Sequence, residues 1–317
     1  MSIVGERRRA PHPRRDPGDR LKVRIGSRGS LLARWQAEHV KARLEALGHV
    51  VAIRVITTTG DRLQDRRLEA VGGKGAFLKE IEEALLATEV DLAVHSLKDV
   101  PTALPKGLGI VAVLERADPR DAFLSHGPRL CDLPAGSRLG TTSLRRQAVL
   151  RELRPDLVMS DLRGNVDTRL TRLREGRFDA ILLAMAGLTR LGRAAEVTEA
   201  LDPSQFVPAP GQGAIALECR EDDRPLAEAV APLDHALTAS AVAAERAFLS
   251  RLGGGCNVPL GAYARAEGAS WKLVAFVARP DGSGLMRGER TGPEAIALGL
   301  ALAEDFLSRG AASLLGR

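Results

Sequence analysis

Two halves of the chain run through the same order of elements, and that repetition restricts the fold more than any other feature. IGSRGSLLARWQ at 25–36 is matched by LGTTSLRRQ at 139–147, and EVDLAVHSLKD at 89–99 by RFDAILLAMAG at 177–187. Each half gives a short apolar strand, a hydroxyl-rich turn, a helix, a strand, a polar loop, a second helix and a buried strand. Strands alternating with helices in this way demand mostly parallel sheets with helices packed on them. Two related α/β lobes are expected, with ligand contacts at the carboxyl ends of the strands and in the cleft between the lobes.

The elements follow from period and punctuation. In the first half, 21–25 and the β-branched 50–57 read as strands, and 31–47 as a helix entered at Ser30 and ended by Gly48. The polar, Gly-rich 61–75 is a loop, 77–87 a helix, and 91–95 a buried strand stopped by Pro101. In the second half, 138–140, 157–160 and 179–184 are strands, 144–153 and 169–175 helices, and 161–168 a loop. The last part differs: an Ala-rich helix at 238–252, a break at Gly253-Gly254-Gly255, an alternating strand at 271–278, a turn at Pro280-Asp281-Gly282 and a closing helix at 293–308. This is a small α+β third domain. Residues 1–20, rich in Arg, Pro and Gly and without period, read as a disordered extension.

Charge narrows the partners. The net charge is +6 and the pI 9.6, which favours an anionic ligand. Aromatic residues are only 3%, against the stacking surface that single-strand nucleic-acid binders use. No apolar run reaches the ~18–20 residues of a membrane helix. Three separated cysteines, Cys131, Cys219 and Cys256, give neither a disulfide framework nor a metal-ligand spacing. A reducing, cytoplasmic setting fits, and the N-terminus lacks the apolar segment of a secretory signal.

Four groups of residues could carry chemistry. Arg28 and Ser30, and Thr141, Thr142, Ser143, Arg145 and Arg146, sit where a strand hands over to a helix. Free N–H groups, hydroxyls and Arg at such a turn suit a carboxylate or phosphate; plain helix capping is the alternative. Lys74, Lys79, Arg163, Arg169 and Arg190 form a wider basic set that could equally be surface charge. The segment His95-Ser96-Leu97-Lys98-Asp99-Val100-Pro101 brings a carboxylate to a strand end. Cations nearby would keep it ionised, able to stabilise a developing positive charge, or it is a structural ion pair. Gly253-Gly254-Gly255-Cys256 presents a thiol on a glycine hinge, where an inert buried Cys is the alternative.

At this density of motifs the chain resembles the porphobilinogen deaminase family. VGGKGAFLKE (71–80), HSLKDVPT (95–102), ERADPRDAF (115–123), GTTSLRRQ (140–147), LRGNVDTRL (162–170), AGLTRLG (186–192), PAPGQGA (208–214) and GGGCNVP (253–259) carry the resemblance, which runs from about 22 to about 265 and more weakly to 317. It implies two periplasmic-binding-protein-like lobes: domain 1 over 21–115 with 214–231, and domain 2 over 116–213. Domain 3, over 232–317, bears the Cys. It implies head-to-tail condensation of four porphobilinogens with loss of ammonia, on a dipyrromethane cofactor held through a thioether, and hydrolysis to hydroxymethylbilane.

Carried onto this sequence, the resemblance makes Cys256 the attachment thiol and Asp99 the catalytic carboxylate. Lys98, Ser143, Arg145, Arg146, Thr141, Asp61 and Ser96 become cofactor-binding. Arg28, Ser30, Arg163, Arg169, Arg190, Lys74 and Phe77 become substrate-binding. No metal, nucleic acid or membrane is implied, and a monomer is expected. Two departures stand out: Ala70 replaces a Lys often found there, and Arg34 replaces a hydrophobic residue and should be exposed. Without the resemblance, a two-lobed anion-binding module lacking catalysis would fit the same residues; Asp99 and Cys256 favour chemistry.

Overall fold

The computed structural model describes residues 20–59, 78–253, 258–279 and 281–316. The chain opens with β1 (Lys22–Ser27), α1 (Leu31–Ala46), β2 (Val50–Val55), α2 (Lys79–Leu86), β3 (Leu92–Ser96) and β4 (Leu108–Val113). It continues through β5 (Asp121–Ser125), β6 (Arg138–Gly140), α3 (Leu144–Leu153), β7 (Val158–Ser160), α4 (Val166–Arg174), β8 (Ala180–Ala184), α5 (Met185–Arg190) and β9 (Glu199–Ala200). It then returns as β10 (Ile215–Arg220) and α6 (Arg224–Val230). The last unit is α7 (Ala236–Arg251), β11 (Leu260–Glu267), β12 (Ser270–Ala278), β13 (Leu285–Gly292), α8 (Ala295–Ser308) and α9 (Ala311–Leu314).

Two five-stranded sheets share one plan. Their orders are β2-β1-β3-β10-β4 and β7-β6-β8-β5-β9. In each, the three strands of the repeated half run parallel, and the fourth is antiparallel to its neighbours. That antiparallel strand has in both cases just crossed from the other lobe: β5 follows β4, and β10 follows β9. The architecture is thus α/β, with two related lobes and a small α+β third region. That third region is the antiparallel sheet β11-β12-β13 carrying helices on one side.

Each core is built by the expected faces. In lobe 1, Val23 and Ile25 alternate inward from β1 onto Ala37, Val40 and Leu44, which recur at three- and four-residue spacing along α1. In lobe 2, Phe123, Leu139 and Leu182 meet Val149 and Leu150 of α3. In the third region Phe248 of α7 stands edge-on to Phe306 of α8 at 5.2 Å. Gly299 permits that closeness: a Cβ there would lie 2.2 Å from the Ala244 carbonyl oxygen. Arg34 is exposed, as expected.

Some boundaries move. The helix expected at 169–175 begins at Val166, because Asn165 accepts a hydrogen bond from the Thr168 amide at 3.0 Å and caps it. Strands β4, β5, β11 and β13 were not anticipated; their ladders depend on partners remote in sequence. Residues 1–19, and with them nearly all of the expected extension, lie outside the described residues, as does the whole of the 61–75 loop. Among the described residues no helix is long and apolar enough to cross a membrane.

Candidate functional site

Several of the sequence-derived site residues directly follow parallel strands: Arg28 and Ser30 after β1, Lys98 and Asp99 after β3, Thr141 and Ser143 after β6, and Arg163 after β7. Ser30 caps α1 by accepting from the Ala33 amide at 3.3 Å, and Ser143 caps α3 by accepting from Arg146 N at 3.4 Å. Thr141 Oγ1 accepts from Ser143 N at 3.2 Å. Capping is therefore part of what these hydroxyls do. A hydroxyl that accepts from a cap can still donate to an anion, so the two roles are compatible. Arg28 lies between the end of β1 and the Ser30 cap. At the end of β3, Ser96 Oγ accepts from the buried Gln36 amide at 2.9 Å.

Lys98 and Asp99 ride on a single 3-10 turn, Leu97–Asp99, directly after β3. Two other segments hold that turn. Leu97 is buried and its amide donates to Ala214 O at 3.0 Å. It packs so closely on Gly211 that a Cβ there would come within 2.9 Å of Leu97 Cγ; with φ at +73° the position requires glycine. On the other side Arg246 of α7 donates to the carbonyls of Val100 and Pro101 at 2.9 and 2.6 Å. His95, first residue of the motif, points away into the lobe, where Nε2 meets Glu218 Oε2 at 2.8 Å.

On lobe 2, Arg163 follows β7 and stands 3.6 Å from Asp161. Arg169 on α4 donates from Nε to Gly164 O at 2.7 Å. Arg190 closes α5 and donates to Gly213 O at 2.7 Å. Burial first, then the nearby charges of Arg146, Arg163 and Arg172, pushes the Arg169 guanidinium down to about 10, while Asp99 acts in the opposite direction. The charge of Asp99, on lobe 1, is therefore felt at an Arg of lobe 2. Burial alone pushes Arg190 to about 10.

Arg145 and Arg146 have an internal partner that their own segment does not announce. Both are more than nine-tenths buried and turn onto Asp121, which is fully buried at the start of β5. Arg146 donates to Asp121 Oδ1 from Nε and Nη2, at 3.1 and 2.7 Å, and to Leu182 O from Nη1 at 2.8 Å. Arg145 Nη1 lies 2.7 Å from Asp121 Oδ2 and donates to Val207 O at 2.7 Å. The two cations hold the Asp121 carboxyl well below the usual carboxylate range despite its burial. With Asp121 these guanidiniums form an internal ion cluster, since an uncompensated charge at this depth would be costly. Asp61, Lys74, Phe77 and Cys256 lie outside the described residues.

Sequence reasoning missed the residues that fasten the parts together. Glu245 of α7 is fully buried and receives four hydrogen bonds. They come from Arg116 Nη1 and Nη2 at 2.6 and 3.2 Å, from Gly211 N at 2.7 Å and from Ala264 N at 2.9 Å. Gln212 donates to Pro119 O and Asp121 Oδ1 at 2.7 and 3.1 Å. The available signal was a lone Glu-Arg pair, Glu245-Arg246, in the otherwise apolar run AVAAERAF. Among the described residues no cluster of His, Cys, Asp and Glu could hold a metal.

The two matching five-stranded sheets and the three-stranded sheet define a two-lobed α/β protein with an appended α+β unit. Solved structures with a similar course include the methionine-binding protein MetQ, at 13% identity and a TM-score of 0.43, covering 68% of this chain and 88% of that one. Another is a periplasmic substrate-binding protein of an ABC transporter from Coxiella burnetii, at 15% identity and a TM-score of 0.43, covering 71% and 96%. The family is given by sequence. Residues 23–228 match the porphobilinogen deaminase dipyrromethane cofactor-binding domain and residues 239–308 the porphobilinogen deaminase C-terminal domain. The chain belongs to the porphobilinogen deaminase family.

The residues present fit such a cofactor. A dipyrromethane carries acetate and propionate on each pyrrole. At Arg169 the charges of Arg146, Arg163 and Arg172 oppose its own and Asp99 favours it, so added carboxylates would be favourable there.

Proposed function

We propose that this protein is a hydroxymethylbilane synthase, a transferase that condenses four porphobilinogens head to tail with loss of ammonia and hydrolyses the product free. The observation that carries the reading is the placement of Asp99. It sits on a turn fixed from two sides, and its negative charge favours the cation of the buried Arg169 on α4. When bound, dipyrromethane supplies the free pyrrole carbon at which chain growth starts.

The chain's own residues then divide the work. Asp99 accepts hydrogen bonds from pyrrole N–H groups and stabilises the positive charge that develops as ammonia leaves the substrate. Arg163, Arg169, Arg190 and Arg28, with Ser30, receive the substrate's carboxylates; Arg offers the two parallel donors a carboxylate matches. Lys98, Thr141, Ser143 and Ser96 line the same strand ends and hold the cofactor's carboxylates. Arg145 and Arg146, two cations against the one carboxylate of Asp121, add to the same cofactor-binding set. Cys256 is the attachment thiol, and Asp61, Lys74 and Phe77 complete the binding set. Domain 1 comprises 21–115 with 214–231, domain 2 comprises 116–213, and domain 3 comprises 232–317. The protein acts as a cytoplasmic monomer.

One experiment tests the whole. Purified protein incubated with porphobilinogen should release ammonia and a product that oxidises to porphyrin. Intact protein should weigh more than its sequence by one dipyrromethane, mapping to the peptide that holds Cys256. No ammonia release by protein carrying the adduct refutes the activity. An adduct on Cys131 or Cys219 refutes the attachment site.

A further inference from the structure

One face of α1 meets the second lobe. Trp35 and His39, four residues apart and so neighbours on the helix, stack with ring centroids 5.1 Å apart and planes within 8°. Over the Trp35 ring, 5.8 Å from its centroid, lies the guanidinium of Arg190, the last residue of α5 in the other lobe. Helices α1 and α5 touch here. Trp35 is 37% exposed, so core packing does not explain its size.

Arg190 has a problem that this ring solves. Among the described residues it makes one hydrogen bond, from Nη2 to Gly213 O at 2.7 Å, in the segment that carries the chain back to lobe 1. One hydrogen bond leaves a planar fork of five N–H donors free to swing about it. A flat indole against the guanidinium removes that freedom, and the stacked His39 keeps the indole from tilting. The interaction itself favours the cation where burial disfavours it.

We propose that Trp35 is a positioning residue: its indole holds the Arg190 guanidinium in the orientation that receives a carboxylate of the incoming pyrrole. The proposal rests on the reading of Arg190 as substrate-binding. Because the ring belongs to one lobe and the guanidinium to the other, the carboxylate site is complete only while the lobes stand in this relation.

The test is steady-state kinetics of the holoenzyme with porphobilinogen. Trp35→Leu should raise KM roughly 3- to 10-fold and leave kcat within about twofold, the range expected for a partly exposed cation–π contact. Trp35→Phe should restore most of the loss. In an Arg190→Leu background, which itself raises KM, Trp35→Leu should add nothing. An unchanged KM in Trp35→Leu, or an equal rise in the Arg190→Leu background, overturns the proposal. If Arg190→Leu leaves KM unchanged, the substrate reading of Arg190 falls and this inference with it. A fluorescence measurement covers variants that fold poorly. The chain has two Trp, so Trp271→Phe leaves Trp35 as sole reporter. Its emission should change on adding porphobilinogen and not do so with Arg190→Leu; an equal response in both backgrounds also overturns the proposal.

Discussion

Glu245→Gln tests the bracket that joins α7 to the 116 and 211 segments of the second lobe. The two oxygens of Glu245 each receive one Arg116 nitrogen and one backbone amide, Ala264 N on Oε1 and Gly211 N on Oε2. Gln has one oxygen. Its amide group would point N–H at two of those four donors and leave the Arg116 charge without its partner. Two lost hydrogen bonds to a buried charged group, at about 1.5–3 kcal/mol each, and the removal of one member of a buried ion pair, at about 3–5 kcal/mol, describe the same loss from two directions. A destabilisation of about 3–5 kcal/mol follows. With unfolding entropy near 2.1 cal/mol/K per residue over 317 residues, that corresponds to a fall in Tm of roughly 5–8 °C if the chain unfolds as one unit. Differential scanning calorimetry of the holoenzyme measures it. Glu289→Gln is the control, since it breaks only the exposed pair with Lys272 at 2.9 Å and should cost under about 1 kcal/mol. A Tm for Glu245→Gln within 1 °C of that control would refute the reasoning.

Other outcomes are equally specific. Asp99→Asn should fold and bind porphobilinogen yet lose about 10²–10³ in turnover; near-normal turnover removes Asp99 from the chemistry. Arg163→Leu should leave enzyme–intermediate complexes stalled at a short chain length, seen by mass spectrometry, whereas a normal distribution would make Arg163 a surface charge. Asp121→Asn should destabilise most at neutral pH. The folded carboxyl titrates below its unfolded value of ~3.9, so its stabilisation is present above that value and fades as pH falls through the folded pKa. The wild-type minus variant stability difference should therefore shrink below about pH 4 in urea titrations, and a flat difference would contradict the ion cluster. Cys219 is buried and its thiol is pushed up to about 12, chiefly by burial, so iodoacetamide at pH 8 should label the exposed Cys131 first. Equal labelling of native protein would show that β10 opens readily.

What could be read before the structure was local. The duplicated order, the Ser30 and Ser143 caps, the burial of Cys219 and the strand-end position of Asp99 all depend on neighbours within a few residues, where period and capping chemistry act. The failures are long-range. The internal partner of Arg145 and Arg146 was not legible, because Asp121, 24 and 25 residues earlier, gives no local sign of lying against them. The apolar run of β10 is legible as a buried segment, but nothing in it names β3 and β4 as partners. Glu245 and Arg246 serve backbone atoms, whose positions no side-chain pattern records. Asn165 is the exception: a cap signal was present in the sequence and the loop reading passed over it.

The insertion of β10 between β3 and β4 has a consequence for how the molecule comes into being. The first lobe to leave the ribosome is missing an interior strand, and that strand is made only after the entire second lobe. Until residue 220 emerges, β3 and β4 have no common neighbour, and the apolar surface that Ile215 and Leu217 will cover stays open. The second lobe draws its antiparallel strand, β5, from chain already synthesised, so it can close first. Assembly order is thus inverted relative to synthesis order. The separation between β3 and β10 makes their pairing a late, slow closure. The nascent chain carries an incomplete sheet through the time needed to translate roughly a hundred residues, and it is in that interval that a chaperone would have most to protect.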